Sequence, residues 1–457
     1  MGRARSLGLA RGVILALACA AFAGCAGRGG EGPTTPSPAI ERPARAWSAA
    51  ALAELRAALD AAPAQGFASD LATLAELDRL DRASARDADA AAALDALADE
   101  TFARLATYFA AGAVDPAQID PEWRFPRPAA PDIAALRASV AAGVSPSLLL
   151  NGLLPTAPDY SALIAELAAL QALPASDTDA NGRARDARID AVRANLERWR
   201  WLPRELPGRR IDVLVPFFEL RLRDGAAPAI VHPVIVGARR TPSPSFGAAI
   251  NSITLNPTWT PPSSILTNEL LPRFRRDPGA AEADGFDVLD RAGQVVDPAL
   301  VDWRARPFPY TLRQRAGAGN ALGRLRFDLP NPYAVYLHDT PSRGLFARAD
   351  RALSHGCIRV SEPETLAAAV LADPAWSLEA LQTAIEIGET QTVQVPTPLP
   401  IYIVYLTAAR DTSGAIGYAD DIYRRDAPLL RALDNAGDQI AALDAGDATT
   451  ECAALGL

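Results

Sequence analysis

Residues 333–360 hold two of the chain's three histidines, His338 and His355, and one of its four cysteines, Cys357. These types can do acyl transfer. A free thiol is mostly protonated near neutral pH, its reference pKa being about 8.5. A nearby imidazole can take that proton, and a charged one favours the thiolate. His338 and Cys357 lie 19 residues apart, so the chemistry needs a fold that makes them neighbours in space. Gly356 allows close backbone approach to a substrate. The N–H groups around Gly356 and Cys357 are then candidates to hold a developing oxyanion.

The positioning elements follow from pattern. Tyr333 to Leu337 is aromatic and β-branched, which predicts a strand ending at His338. Asp339 to Gly344 is turn chemistry. Ser354-His355-Gly356-Cys357 is a polar step into a second short strand, Ile358 to Val360. A strand end facing a strand start across a loop would set imidazole beside thiol. Taken singly, each residue has a plainer reading. A lone cysteine is commonly buried and inert, and His338 alone fits a core histidine at a strand end. Asp339 is not assigned to a triad, because adjacent side chains on extended backbone point apart. His232, between Val231 and Pro233 without chemical neighbours, reads as structural.

The run His338-Asp339-Thr340, followed by Ser354-His355-Gly356-Cys357-Ile358-Arg359-Val360, resembles the signature of L,D-transpeptidases with a YkuD-type catalytic domain. Further stretches resemble the larger, YcbB-like subfamily. They are Asn195 to Pro203, Pro216 to Leu220, Val234 to Gly237, Asn256-Pro257-Thr258-Trp259, Gly319 to Gly323 and Asn331-Pro332-Tyr333, in order over roughly 189–426. The resemblance implies Cys357 as nucleophile and His338 as general base, with His355 and Gly356 at the oxyanion loop. It implies Arg359 as a partner for a substrate carboxylate. Tyr336 and Trp259 would wall a peptide groove, and Ser354 would orient His355 or cap the turn. Core packing is the plainer role for the two aromatics, and a surface ion pair with Glu362 for Arg359.

The implied activity is peptidoglycan 3→3 cross-linking through a cysteine thioester, with release of D-Ala. The partners are stem peptides, no metal or organic cofactor is implied, and carbapenem-type inhibitors are expected to acylate Cys357. Three alternatives stay open: an L,D-carboxypeptidase using water, attachment of wall peptides to a lipoprotein, and a non-catalytic wall-binding scaffold. A metal site at His338, His355 and Cys357 is a further rival. Members of this subfamily commonly carry a peptidoglycan-binding module before the Asn195 to Pro203 segment. Here only a short polar link, 174–183, stands between Leu173 and Asp190, and no such module fits.

The chain has 457 residues, enough for two or three domains, and a net charge of −9 that argues against a nucleic-acid partner. It contains no lysine, so every basic residue is arginine. Cys19, Cys25, Cys357 and Cys452 form no C-x-x-C pair, which argues against a zinc framework. Val13 to Phe22 is a short apolar run behind Arg3, Arg5 and Arg11, as in a secretory signal peptide. Ala21-Phe22-Ala23 offers ordinary cleavage. Phe22-Ala23-Gly24-Cys25 resembles a lipobox, which would make Cys25 the lipidated first residue. The lipoprotein reading is favoured, since ordinary cleavage would leave a free thiol near the new terminus. An exported, periplasmic protein anchored by lipid, with the outer membrane favoured by Ala26, is the expectation.

Pattern and the resemblance together give signal peptide 1–25, flexible linker 26–45, helical scaffold domain 46–187, catalytic domain 188–430 and tail 431–457. The fold class is α+β. A mostly-β, sandwich-like catalytic domain with peripheral helices follows an α-helical scaffold. Leu52, Leu55 and Leu59, then Leu71, Leu74 and Leu77, give helical stripes. The acidic run from Asp87 to Asp99 reads as a solvated helix face. A helix is predicted from Arg188 to Arg200. A hairpin around Asp224-Gly225 should join strands 211–223 and 229–236, with Pro216 marking a bulge or an edge.

Overall fold

The computed structural model describes residues 46–225 and 229–436, which fall in the unit Pro43–Leu457. The leader, the linker, Cys25 and the end of the tail lie outside the described residues.

The first part is helical, and its caps are legible. Helix α1, Ala49–Asp60, starts where Ser48 caps the Ala51 N–H, and it buries Leu52, Leu55 and Leu59. Helix α2, Leu71–Ser84, is capped by Asp70, and helix α3, Ala88–Ala111, by Asp87. The α2 stripe differs from expectation. Leu77 and Leu80 are buried, while Leu71, in the first turn, faces solvent. The acidic run is not merely solvated either. Asp95 accepts the Ala46 and Trp47 N–H groups, and Asp99 accepts the Trp47 indole N–H. Helix α4 is Pro158–Gln171 and helix α5 is Arg185–Trp201. No described helix is long and apolar enough to cross a membrane.

Helix α5 carries buried charge. Glu197 accepts the Val114 N–H at 2.8 Å and pairs with Arg200 at 3.1 Å. Arg200 also donates to the Tyr160 hydroxyl at 2.9 Å and lies 4.2 Å from the Phe67 ring centre. Arg198 turns the other way, to Asp426 at 2.6 Å. One apolar core runs from Trp47 through Leu196 and Trp201 to Val404, Leu406, Leu429 and Leu433. The scaffold and the start of the catalytic part are thus packed as one body.

Nine strands make the main sheet: β1 Arg209–Leu214, β2 Glu219–Asp224, β3 Ile230–Gly237, β4 Phe246–Leu255, β5 Leu325–Asp328, β6 Leu337–His338, β7 Ala352–Ser354, β8 Ile358–Val360 and β9 Gln391–Val404. Their order is β7-β3-β8-β6-β5-β4-β9-β1-β2, and a further β2–β3 pairing closes the sheet on itself. The α+β class stands, but the β part is barrel-like rather than a sandwich. Stretch 211–223 is not one bulged strand. It reverses at Val215–Phe217 with Phe218 left-handed (φ 56), so β1 and β2 pair antiparallel. Pro216 breaks the strand because it cannot donate to a ladder. The hairpin at Asp224-Gly225 forms as expected, with Leu220 opposite His232. Two helices, α6 Pro363–Leu371 and α7 Leu378–Ile387, share the second core with the sheet. Helix α8, Asp426–Asn435, buries Leu429 and Leu433 in the first core, so the helix runs across the proposed boundary at residue 431.

Residues between β4 and β5 form a small subdomain. Helical turns over 263–274 and three strands, Phe286–Leu289, Val295–Val296 and Thr311–Gln314, enclose a separate core of Leu271, Phe274, Phe286, Trp303 and Leu312.

Candidate active site

Strand register assembles the site. β6 and β8 are adjacent and parallel, with Leu337 opposite Ile358 and His338 opposite Arg359. Side chains alternate faces along a strand. Leu337 and Ile358 are both fully buried in the apolar core. His338 and Arg359 therefore face the other way, and so do Tyr336 and Cys357, each two residues earlier. The predicted strand from Tyr333 is shorter than expected. Ala334 is left-handed (φ 54), and the Asn331 side chain braces this turn by bonding the Val335 carbonyl at 2.7 Å.

Cys357 is half-buried, with Sγ 3.7 Å from the Ala334 carbonyl oxygen. The Tyr336 side chain lies against this sulfur and against Trp259. Its ring stands edge-on to the His338 imidazole, 5.7 Å between centres. Burial pushes the thiol up, while Tyr336 and the Arg359 charge oppose that. His338 is buried, and its Nδ1 lies 2.5 Å from the Asp339 carbonyl oxygen. A carbonyl only accepts, so Nδ1 carries the proton and Nε2 keeps the lone pair. Burial first, then the Arg359 charge, push the imidazole down to about 3 against the Asp339 and Leu322 carbonyls. At neutral pH the imidazole is uncharged. The Arg359 Nε is buried with no hydrogen-bond partner among the described residues.

The loop before β8 is held from both ends. The Ser354 hydroxyl donates to the Cys357 carbonyl at 2.6 Å and accepts the Gly356 N–H at 3.1 Å. Gly356 has φ 115, a conformation side-chain-bearing residues rarely adopt. Its N–H is therefore occupied. Among the described residues nothing accepts the Cys357 N–H. Of the two N–H groups expected to face an oxyanion, only that of Cys357 is free among the described residues.

His355 is exposed, and its Nε2 lies 2.6 Å from Glu269 Oε1. Glu269 belongs to the inserted subdomain. Trp259, at the base of that subdomain, bridges Gln314 and packs on Phe286, 6.2 Å between ring centres. The subdomain thus reaches the site at Trp259–Tyr336 and at Glu269–His355. The Asp339 carboxylate takes no part with the imidazole. It accepts the Arg324 N–H at 2.8 Å and pairs with Arg343 at 3.2 Å. His232 is buried on the Ser361 carbonyl, away from this face.

Sequence reasoning missed Glu269, Ser243 and Tyr423. The Ser243 hydroxyl donates to the Gly356 carbonyl at 2.7 Å. Tyr423 binds both ends of the turn that carries Ser243. No motif marks these positions, and only tertiary contact brings them to the loop.

Residues 208–395 match the L,D-transpeptidase catalytic domain, YkuD, and residues 42–167 match the scaffold domain. A Haemophilus influenzae protein named "Putative L,D-transpeptidase" is 36% identical over 235 residues, which is 51% of this chain and 47% of that protein. The chain spans about half the length of that relative. With its cysteine, histidine and arginine on one face of a barrel-like sheet, the chain carries an L,D-transpeptidase catalytic domain of the YkuD type, preceded by a scaffold domain.

Proposed function

We propose that this protein forms 3→3 cross-links in peptidoglycan. Its donor is a stem peptide, cleaved between the diamino acid at position three and D-Ala at position four. The observation that carries the reading is the shared face of Cys357 and His338 beside Arg359, in a domain of this family.

His338 Nε2 takes the thiol proton as Sγ attacks the carbonyl carbon at the L-centre. The S–C bond forms and the carbonyl electrons move to oxygen, where the Cys357 N–H donates to the oxyanion. The C–N bond then breaks, and D-Ala leaves with the proton that His338 held. A side-chain amine of a second stem attacks the thioester, gives its proton to His338, and the thiol returns. One oxyanion donor is worth about 3 kcal/mol in well-studied sites. Arg359, with a free buried Nε, suits a substrate carboxylate or amide oxygen. Tyr336 and Trp259 wall the groove, and His355 with Glu269 borders it.

We further propose that the protein is exported and lipid-anchored through Cys25. Carbapenems would acylate Cys357. Mass spectrometry of products from defined muropeptides tests the activity. Dimers with D-Ala release are expected, and Cys357→Ala should make none. Tripeptide without dimer would turn the reading to an L,D-carboxypeptidase. The N-terminal mass of the mature protein tests the anchor.

A further inference from the structure

We propose that Ser243 and Tyr423 are positioning residues that aim the Cys357 N–H at the carbonyl under attack. On this view the segment after β9 is part of the catalytic apparatus. The proposal rests on the cysteine acyl-transfer reading above.

A trans peptide unit is rigid, and its C=O and N–H point in opposite directions. The Gly356 carbonyl and the Cys357 N–H are the two ends of one such unit. Whatever fixes the carbonyl therefore fixes the N–H. Ser243 is fully buried, and its hydroxyl holds the Gly356 carbonyl at 2.7 Å. The same oxygen accepts the Gly237 N–H at 2.9 Å. Its single hydrogen is thus committed to Gly356. The Gly356 N–H is tied to Ser354. That leaves the Cys357 N–H as the donor free to meet an oxyanion, and Ser243 holds its plane from the opposite side.

Tyr423 holds Ser243. Its hydroxyl accepts the Ser243 N–H at 3.2 Å and donates to the Gly237 carbonyl at 2.6 Å. It therefore closes the 237–243 turn at both ends. That turn has no slack, since a Cβ on Gly237 would lie 2.3 Å from the Thr241 carbonyl oxygen. Tyr423 is fixed in turn by its stack on Tyr405, 5.3 Å between ring centres, and by the Arg425 guanidinium 4.8 Å from its own ring centre. Arg425 pairs with Asp120 of the scaffold at 3.3 Å. The chain of contact runs from the scaffold, through residues outside the 208–395 match, to the nucleophile's own peptide plane.

The test uses the full chain and two reagents on one sulfur. A carbapenem must pass through an oxyanion to acylate Cys357, whereas iodoacetamide alkylates a thiolate without one. Both rates are read by intact mass for wild type, Ser243→Ala and Tyr423→Phe. Acylation should fall about tenfold or more in each variant, below the full loss of a donor because the N–H is misaimed rather than removed. Alkylation should stay within about twofold. A merely structural role would slow both reactions together or neither, and either result overturns the proposal. Should Ser243→Ala not fold, Tyr423→Phe, which loses one oxygen, decides alone. A wild type that is not acylated at Cys357 would instead sink the acyl-transfer reading itself.

Discussion

Arg359 stands opposite His338 on the adjacent parallel strand, so a permanent cation shares a face with the imidazole. The cation disfavours a charged imidazole and favours a thiolate, while burial disfavours both charged forms. The resting groups are therefore a neutral thiol and a neutral imidazole.

Alkylation of Cys357 should accordingly have no inflection near the ordinary histidine value of about 6.5, and its rate should still be climbing at pH 9. A plateau between pH 5 and 7 would mean a preformed ion pair and would sink this view. The stability consequence has a definite sign. The folded imidazole pKa, about 3, lies below the unfolded one. As pH falls from about 6.5 the unfolded chain takes the proton first, and stability drops by about 1.4 kcal/mol per pH unit from this group. His338→Gln should therefore lose less stability than wild type between pH 6.5 and 4, as followed by urea unfolding.

Arg359 has a buried Nε free to bond, and a charge-assisted hydrogen bond contributes about 1.5–3 kcal/mol. Arg359→Gln should lower kcat/KM for a stem-peptide donor by about 10- to 100-fold. Arg359→Lys should recover only part, since it keeps charge without the planar fork. Steady-state kinetics on both variants decides it. A full recovery by lysine would reduce the role to that of a point charge.

Glu269 and His355 are both substantially exposed, with side chains 47% and 39% accessible. Such a pair is worth about 0–1 kcal/mol. Glu269→Ala should raise KM for the peptide by less than about fivefold and leave kcat near wild type. A fall in kcat beyond about tenfold would place this pair in the chemistry instead of at the rim of the groove.

How far the sequence spoke depends on the range of each signal. Cys357 and His338 stood out as candidates because their neighbours are local: a strand end, a turn and a glycine step. A strand end facing a strand start was expected to bring them together, but the parallel pairing of β6 with β8 that sets them on one face was not, since residues far away fix it. The hairpin at Asp224-Gly225 was visible in turn chemistry, but the reversal at Pro216 was read as a bulge or an edge because either explains a proline in an apolar run. The subdomain core mixes Phe274, Phe286 and Trp303 from short, irregular pieces with no lasting period. Glu269, Ser243 and Tyr423 were invisible for the same reason, each meeting the loop only after folding. A catalytic boundary at residue 188 agrees with no change of core, since helix α5 packs with the scaffold and with Val404 alike.

That continuity makes a last prediction about Glu197. Its carboxylate is fully buried, accepts the Val114 N–H and pairs with Arg200. Removing one partner of a buried pair leaves the other charge uncompensated, at a cost of about 3–5 kcal/mol. Glu197→Ala strands Arg200, which among the described residues keeps the Tyr160 hydroxyl, the Gln65 carbonyl and the Phe67 ring face. Glu197→Gln keeps an acceptor for Val114 and should lose clearly less. Because one core spans the scaffold and the start of the sheet, both variants should unfold in a single transition that moves to lower denaturant with an unchanged slope. Two separated transitions, or a Glu197→Ala cost under about 1 kcal/mol, would show that α5 does not fasten the two parts together.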